Sequence, residues 1–534
     1  MAHPEYRALV RSYLDLRWQL DPVAATQAGV GTHDARLGRF ARADVKAAVA
    51  ALKATAVAFE AAEPADRADA VDQTAVLNDI RVQVARFDGE RPHELNPEFH
   101  LTHLLSGLFA LLIRRDQPAE ARALALAGRL ADTPRFLADA RATLTRPAPV
   151  FTETGLSVAE GGRRLLREAV PAFAAALSAE ARRAIEEQIV PARDALEEFV
   201  GFLGGELLGR SDGDFAVGRT AFDFRLHHEH ALRESAPELL RYGERLVAAT
   251  QEELARRADE LAPGTAWRAL ADRLRATAPP GDTIVPAYAG QMERARRFVV
   301  DRDLVTVPPG DLEVIATPSF MRPLIPFAAY EPPGAFAEDR TGWFYVTVPE
   351  GQPRLDHCVH EIACTALHEG YPGHHLHFLA MQQQESPVRR VVGSPLTIEG
   401  WALYCEELMA EQGFLTHPEE RFFQSVHMLW RAVRVVLDVR LHTMGMTVAE
   451  AVRYMVDTLG ISEHSAESEV RRYCGAPAYQ LCYAVGRREL LSLRDAYRAR
   501  AGAGFSLRHF HDELLAFGAL PVSLIRWGMG LSET

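Results

Sequence analysis

Residues 368 to 374 read His-Glu-Gly-Tyr-Pro-Gly-His, and no single α-helix can carry them through. Proline at 372 has no backbone N–H and its ring crowds the preceding turn, while Gly370 and Gly373 admit backbone conformations that other residues resist. The interruption matters because of what flanks it. A histidine followed by glutamate opens the helical zinc sites that set two imidazoles one turn apart with the carboxylate beside them. In one unbroken helix, six positions at 1.5 Å rise would separate His368 and His374 by about 9 Å and roughly 120° around the axis, too far for both to meet an ion at about 2 Å. Looping Tyr371-Pro372 out as a local bulge leaves His-Glu-Gly-Gly-His and returns His374 to the place of the second ligand. The surrounding stretch, HCVHEIACTALHEGYPGHHLH, holds six of the chain's 20 histidines. His357, His360, His375 and His377 read as packing or surface residues, with His375 as the substitute ligand should His374 not serve.

A catalytic zinc is held by three protein ligands with one position left open. Twenty-five residues beyond His374 comes TIEGWALYCEEL, an apolar helix that Glu399 opens. Glu399 is the natural third ligand. Glu406 lies on the same face seven residues later and is placed to orient a ligand imidazole. Glu369 would take a proton from water that the ion acidifies. The HHEH run at residues 227 to 230 has the wrong spacing for a metal helix. GxGxxG, GKS/T and GxSxG are absent, so neither a phosphate loop nor a serine elbow has support.

Around this centre the chain reads as mostly α-helical. From residue 1 to about 275, Ala, Leu, Arg and Glu dominate and apolar residues recur at three and four. Pro and Gly break the pattern in TAPPGDTIVPAYAG, residues 277 to 290, which marks a boundary between a lobe of residues 1–280 and a second of 281–534. Between about 303 and 349 the runs DLVTVP, LEVIATP and GWFYVTVP alternate with proline turns, which predicts a sheet of about three strands just ahead of the metal helix. An edge strand there could hold an extended substrate by backbone pairing. The net charge of −13 disfavours nucleic acid as a partner. No apolar run approaches the roughly 20 residues of a membrane helix, so no membrane partner is expected. The first 18 residues lack the layout of a secretory signal, and the five cysteines, odd in number and without CxxC spacing, read as buried thiols; both predict a cytoplasmic protein.

HEGYPGHHL followed by EGWALYCEEL resembles the signature of the bacterial domain-of-unknown-function 885 family, whose members are regarded as zincin-like metallopeptidases related to gluzincins. The resemblance runs nearly end to end, through YLDLRWQLDPVAATQAGVGTHDARL, RRYCGAPAYQLCYAVGRREL and FHDELLAFGALPVSLIRW. It implies His368, His374 and Glu399 as ligands of one Zn2+ and Glu369 as general base or acid. It also points to Arg472, Tyr473 and Tyr483, from which a hydroxyl or guanidinium would donate to the oxyanion or hold a substrate carboxylate. The chain departs from the family pattern at Pro477-Ala478-Tyr479-Gln480, where Pro-Gly-Gln-Ala is usual, and at His377, where glutamine is usual. The expectation is therefore a mostly helical, two-lobed zincin-like fold with a small sheet beside the active-site helix and a cleft between the lobes. Its activity would be zinc-dependent hydrolysis of amide bonds in short peptides or peptide-like small molecules. The alternatives are a dedicated amide hydrolase or deacylase of a small-molecule pathway, and a noncatalytic zinc-binding descendant.

Overall fold

The computed structural model describes residues 4–277, 279–318, 321–322, 325, 327–348 and 357–531, and they form a mostly helical chain with one small sheet. The chain divides into two compact units. One comprises Met1–Phe215 with Pro318–Pro326 and Pro333–Asp339; the other comprises Ala216–Thr317, Phe327–Pro332 and Arg340–Thr534.

In the first unit, the helices Ala119–Thr143 and Ala179–Phe202 pack along one another, and Pro97–Ile113 lies against the former. Its least ordinary core member is Arg129, fully buried, which is tolerable only because the guanidinium finds acceptors. It donates to the carbonyl oxygens of Arg36 and Pro22 at 3.0 and 3.2 Å, to Thr26 Oγ1 at 2.5 Å, and to the Gly107 carbonyl.

Eight helices of the second unit matter for the site: α1 (Ala236–Leu261), α2 (Gly281–Asp301), α3 (Val359–Glu369), α4 (His374–Gln382), α5 (Pro395–Glu411), α6 (Pro418–Thr443), α7 (Glu463–Cys474) and α8 (Cys482–Ala501). Residues 216–275, which the composition pattern groups with the first lobe, pack here: α1 lies along α6, and Gly243 lets the two approach until a Cβ would stand 2.9 Å from Val435 Cγ1.

The sheet has three strands, β1 (Asp311–Ala316), β2 (Ala328–Glu331) and β3 (Thr341–Val346), in the order β1-β3-β2. β1 runs parallel to β3, with Leu312 opposite Gly342, and β2 runs antiparallel to it, with Tyr330 opposite Phe344. Phe344 and Val346 pack with Ile284, Tyr288 and Met292 of α2 and Ile362 and Ala366 of α3. The sheet therefore backs α3, whose last turn carries His368 and Glu369.

Two of the expected strand runs are strands; Pro349, at the end of the third run, lies outside the described residues. DLVTVP is not a strand. Leu304 and Val305 are buried, but the backbone polar groups go to side chains: His511 Nδ1 donates to the Leu304 carbonyl at 2.7 Å, and Thr306 N donates to Asp512 Oδ1 at 2.8 Å. The third strand is AAYE, residues 328–331, too short to stand out by periodicity.

Candidate metal centre

The break between α3 and α4 is wider than a two-residue bulge. Four residues, Gly370 to Gly373, separate the helices, and the Tyr371-Pro372 peptide bond is cis. Pro372 offers no N–H, and its carbonyl leaves the helical ladder to accept from Trp401 Nε1 at 2.9 Å and Cys405 Sγ at 3.5 Å, both on α5. Gly373 permits the close return of the chain: a Cβ there would stand 1.9 Å from the His368 carbonyl oxygen. The effect is the one the spacing demanded. The rings of His368 and His374 lie 4.7 Å apart, nearly perpendicular, both buried.

Glu399 projects from α5 into the same place. Its Oε2 is 3.7 Å from His368 Nε2 and 3.5 Å from His374 Nε2. Ligands about 2.05 Å from a tetrahedral ion stand about 3.4 Å from one another, so Glu399 Oε2 lies near the spacing of a co-ligand from each imidazole nitrogen. Glu369 lies beside the two imidazoles: one donor atom each from His368, Glu369 and His374 lies within 4.8 Å of the others. The donor chemistry, two imidazoles and a carboxylate, suits zinc.

The protonation pattern fits as well. Glu406 Oε1 accepts from His368 Nδ1 at 2.8 Å, which turns Nε2 towards Glu399 as the nitrogen that a cation would take on displacing its proton. Burial alone would lower the pKa of His368, but Glu399 and Glu406 more than reverse it and raise it to about 9. Burial would likewise raise Glu399, yet its two histidine neighbours hold it well below the usual carboxylate range. The pocket thus carries the negative potential that a dication would neutralise. His374 Nδ1 is buried and has no partner among the described residues.

His375 does not take His374's part. Its Nδ1 accepts from or donates to the Tyr330 hydroxyl at 2.9 Å on the sheet side, and burial drives its pKa down to about 3. His357 bonds the Thr347 carbonyl at 2.9 Å, His377 bonds the Gly518 carbonyl at 3.1 Å, and His360 stacks on Phe423. All three serve packing. Of the HHEH run, His230 is buried and bridges Ser394 Oγ and the Ala478 carbonyl.

α5 and α8 cross with backbones in contact at Gly400 and Gly486, where a Cβ on Gly486 would stand 2.0 Å from the Leu396 carbonyl oxygen. This places Tyr483, one turn before Gly486, at the centre: its ring lies parallel to that of His368 with centroids 6.3 Å apart, and the Arg434 guanidinium sits 4.8 Å from its ring centre. Burial, then the Glu399 charge, raises its pKa above the tyrosine norm, so the hydroxyl keeps its proton, and no described residue hydrogen-bonds it. Tyr473 and Arg472 are engaged elsewhere. The Tyr473 hydroxyl donates to Glu469 Oε2 at 2.6 Å and accepts from Arg434 Nε at 3.0 Å, and Arg472 donates to the same Glu469 oxygen at 2.8 Å. The residue that sequence reasoning missed is Tyr479, whose hydroxyl donates to Glu399 Oε1 at 2.7 Å. It lies within the departing Pro477-to-Gln480 segment, which is where a signal was available.

These observations define a mostly helical protein with a three-stranded sheet backing a buried His-His-Glu cluster. The profile of a family described as bacterial protein of unknown function, DUF885, matches residues 22–529, and the chain belongs to that family. Among solved structures it is similar over 98% of its length to a candidate lipoprotein of unknown function from Shewanella oneidensis, with 22% identity, a TM-score of 0.81 and 99% of that chain covered. A candidate lipoprotein from Colwellia psychrerythraea is likewise similar, with 19% identity, a TM-score of 0.82 and 98% of each chain covered. Identities this low establish a shared fold. No curated protein matches. No helix among the described residues is long and apolar enough to cross a membrane.

Proposed function

We propose that this chain is a zinc-dependent hydrolase of the zincin-like, gluzincin-related type, cleaving amide bonds in short peptides or peptide-like small molecules. The observation that carries the reading is the convergence of His368 Nε2, His374 Nε2 and Glu399 Oε2 at 3.5 and 3.7 Å, beside a Glu369 that no described residue hydrogen-bonds or pairs. Glu369 is half-buried, so its carboxylate stands beside the cation site and stays open to water, where it is available to move protons.

A bound zinc ion would supply Lewis acidity, polarising the substrate carbonyl and acidifying water. Glu369 takes the proton from the attacking water and returns it to the leaving nitrogen. Tyr483, protonated and hydrogen-bonded by no described residue, donates to the carbonyl oxygen as it gains charge. Glu406 holds the His368 imidazole in the tautomer that presents Nε2. The five cysteines, all buried thiols, favour a reducing compartment, and we propose the cytoplasm.

The test is a pair of variants. Glu369→Gln should retain zinc in metal analysis and lose hydrolysis of a peptide library by at least about 100-fold, whereas His368→Ala should lose the zinc. A Glu369→Gln protein that hydrolyses as wild type does would refute the assignment.

A further inference from the structure

The two oxygens of Glu399 have different neighbours. Oε2 faces the two Nε2 atoms at 3.7 and 3.5 Å, and Oε1 accepts from the Tyr479 hydroxyl at 2.7 Å. A carboxylate free to pivot can grip a cation through both oxygens or swing away from it; one tied at Oε1 offers a single oxygen in a fixed direction. We infer that Tyr479 is the positioning residue that holds Glu399 to one-oxygen ligation and so preserves the position open for substrate. The inference rests on the metal reading above.

Tyr479 is not on a helix, so something else must place it. It lies on the turn between α7 and α8, and two buried groups fasten that turn. Asp438 of α6 accepts from Ala478 N at 3.0 Å and Leu481 N at 3.1 Å. Between these bonds Ala478 adopts φ +62°, a left-handed conformation that an alanine keeps only where its surroundings enforce it. His230 Nε2 donates to the Ala478 carbonyl at 2.8 Å, so its Nδ1 is the acceptor for Ser394 Oγ at 2.9 Å. Ser394 in turn caps α5, accepting from Leu396 N at 3.2 Å, and α5 carries Glu399. One imidazole thus ties the turn bearing Tyr479 to the start of the helix bearing Glu399. The donor and its acceptor are held in register through a buried clasp, independently of the hydrogen bond between them.

The experiment measures zinc affinity of the full chain by competition with a chromophoric chelator, together with the visible absorption of the cobalt(II)-substituted protein. Tyr479→Phe should weaken zinc binding about 10- to 100-fold and lower the cobalt d–d absorption, because a freed Oε1 enters the coordination sphere and raises the coordination number. Tyr454→Phe, outside the site, should change neither. If Tyr479→Phe fails to fold, Asp438→Asn decides: it leaves Tyr479 in place but removes one of the two acceptors of its turn, and a folded Asp438→Asn protein should also bind zinc more weakly. Wild-type affinity and spectrum in Tyr479→Phe, or wild-type affinity in Asp438→Asn where that variant must decide, overturn the inference and leave the metal site standing. A wild-type chain that takes up no zinc overturns both.

Discussion

Gly373→Ala is the most demanding test of the geometry, because it adds one methyl group and touches no functional atom. An ideal Cβ at residue 373 would stand 1.9 Å from the His368 carbonyl oxygen and 2.3 Å from that of Leu367, against the 3.4 Å at which ordinary contact begins, a shortfall of about 1.5 Å. Both obstacles are backbone of α3, so no side chain can turn aside. The strain must be taken up by the chain between α3 and α4, and His374 is the next residue. Metal sites tolerate displacements of about 0.2 Å; half the shortfall passed on to His374 exceeds that more than threefold. We expect a stability loss at or above about 3 kcal/mol, the upper end for overpacking, and a folded fraction that binds little zinc. The neighbouring Gly370→Ala is the control: its Cβ would meet the flexible Met292 side chain at 3.0 Å and the Ala366 carbonyl at 2.9 Å, a far smaller intrusion. Urea denaturation and zinc titration on both variants settle the matter. If Gly373→Ala binds zinc as tightly as Gly370→Ala, the break between the helices is not what brings the imidazoles together.

Glu406→Gln should weaken zinc binding about 10- to 100-fold by removing the charged acceptor of His368 Nδ1, read by chelator competition. Tyr483→Phe should lower kcat about 100-fold or more with little change in KM, as expected for a donor that acts on the transition state, once a hydrolysed substrate is in hand. Gly486→Ala should destabilise the fold by about 2–3 kcal/mol in urea, because its methyl would collide with the Leu396 carbonyl and separate α5 from α8. Acid should destabilise through His100 and His511, which burial holds neutral with pKa values of about 4. The unfolded chain binds these protons near pH 6.5 and the folded chain does not, so stability is complete above pH 6.5 and is lost as pH falls towards 4, on the order of 3 kcal/mol per histidine; His511→Asn should flatten that slope in urea midpoints measured from pH 7 to pH 5.

Sequence reading reached the centre because its constraints are local. Proline at 372 forbids a continuous helix whatever the fold, and the seven-residue interval from Glu399 to Glu406 fixes a common helix face, so the 2.8 Å bond from His368 to Glu406 was foreseeable. What was not legible depends on distant partners. DLVTVP has strand composition, but Asp512 and His511, some 200 residues away, take its backbone groups. Tyr479 depends on a turn clasped by Asp438, 40 residues back, and by His230, 248 residues back from Ala478. Tyr473 looked equivalent to Tyr483 in sequence; Glu469, one turn before it on α7, captures its hydroxyl.

The placements converge on α5. Glu399 faces the two imidazoles and Glu406 fixes the tautomer of one of them, while Trp401 and Cys405 hold the Pro372 carbonyl at the break that delivers the other. Four residues within two turns of one rigid helix therefore set the third ligand, one imidazole's orientation and the path of the backbone to the second imidazole. A site carried on one such element keeps its geometry better than one assembled from independent loops. Glu369 stands outside this scheme: no described residue of α5 hydrogen-bonds or pairs with it, and of the carboxylates Glu369, Glu399 and Glu406 it alone has no described partner. The residues that would hold an ion are thus fixed by a scaffold that leaves free the one group whose proposed work is to gain and lose a proton.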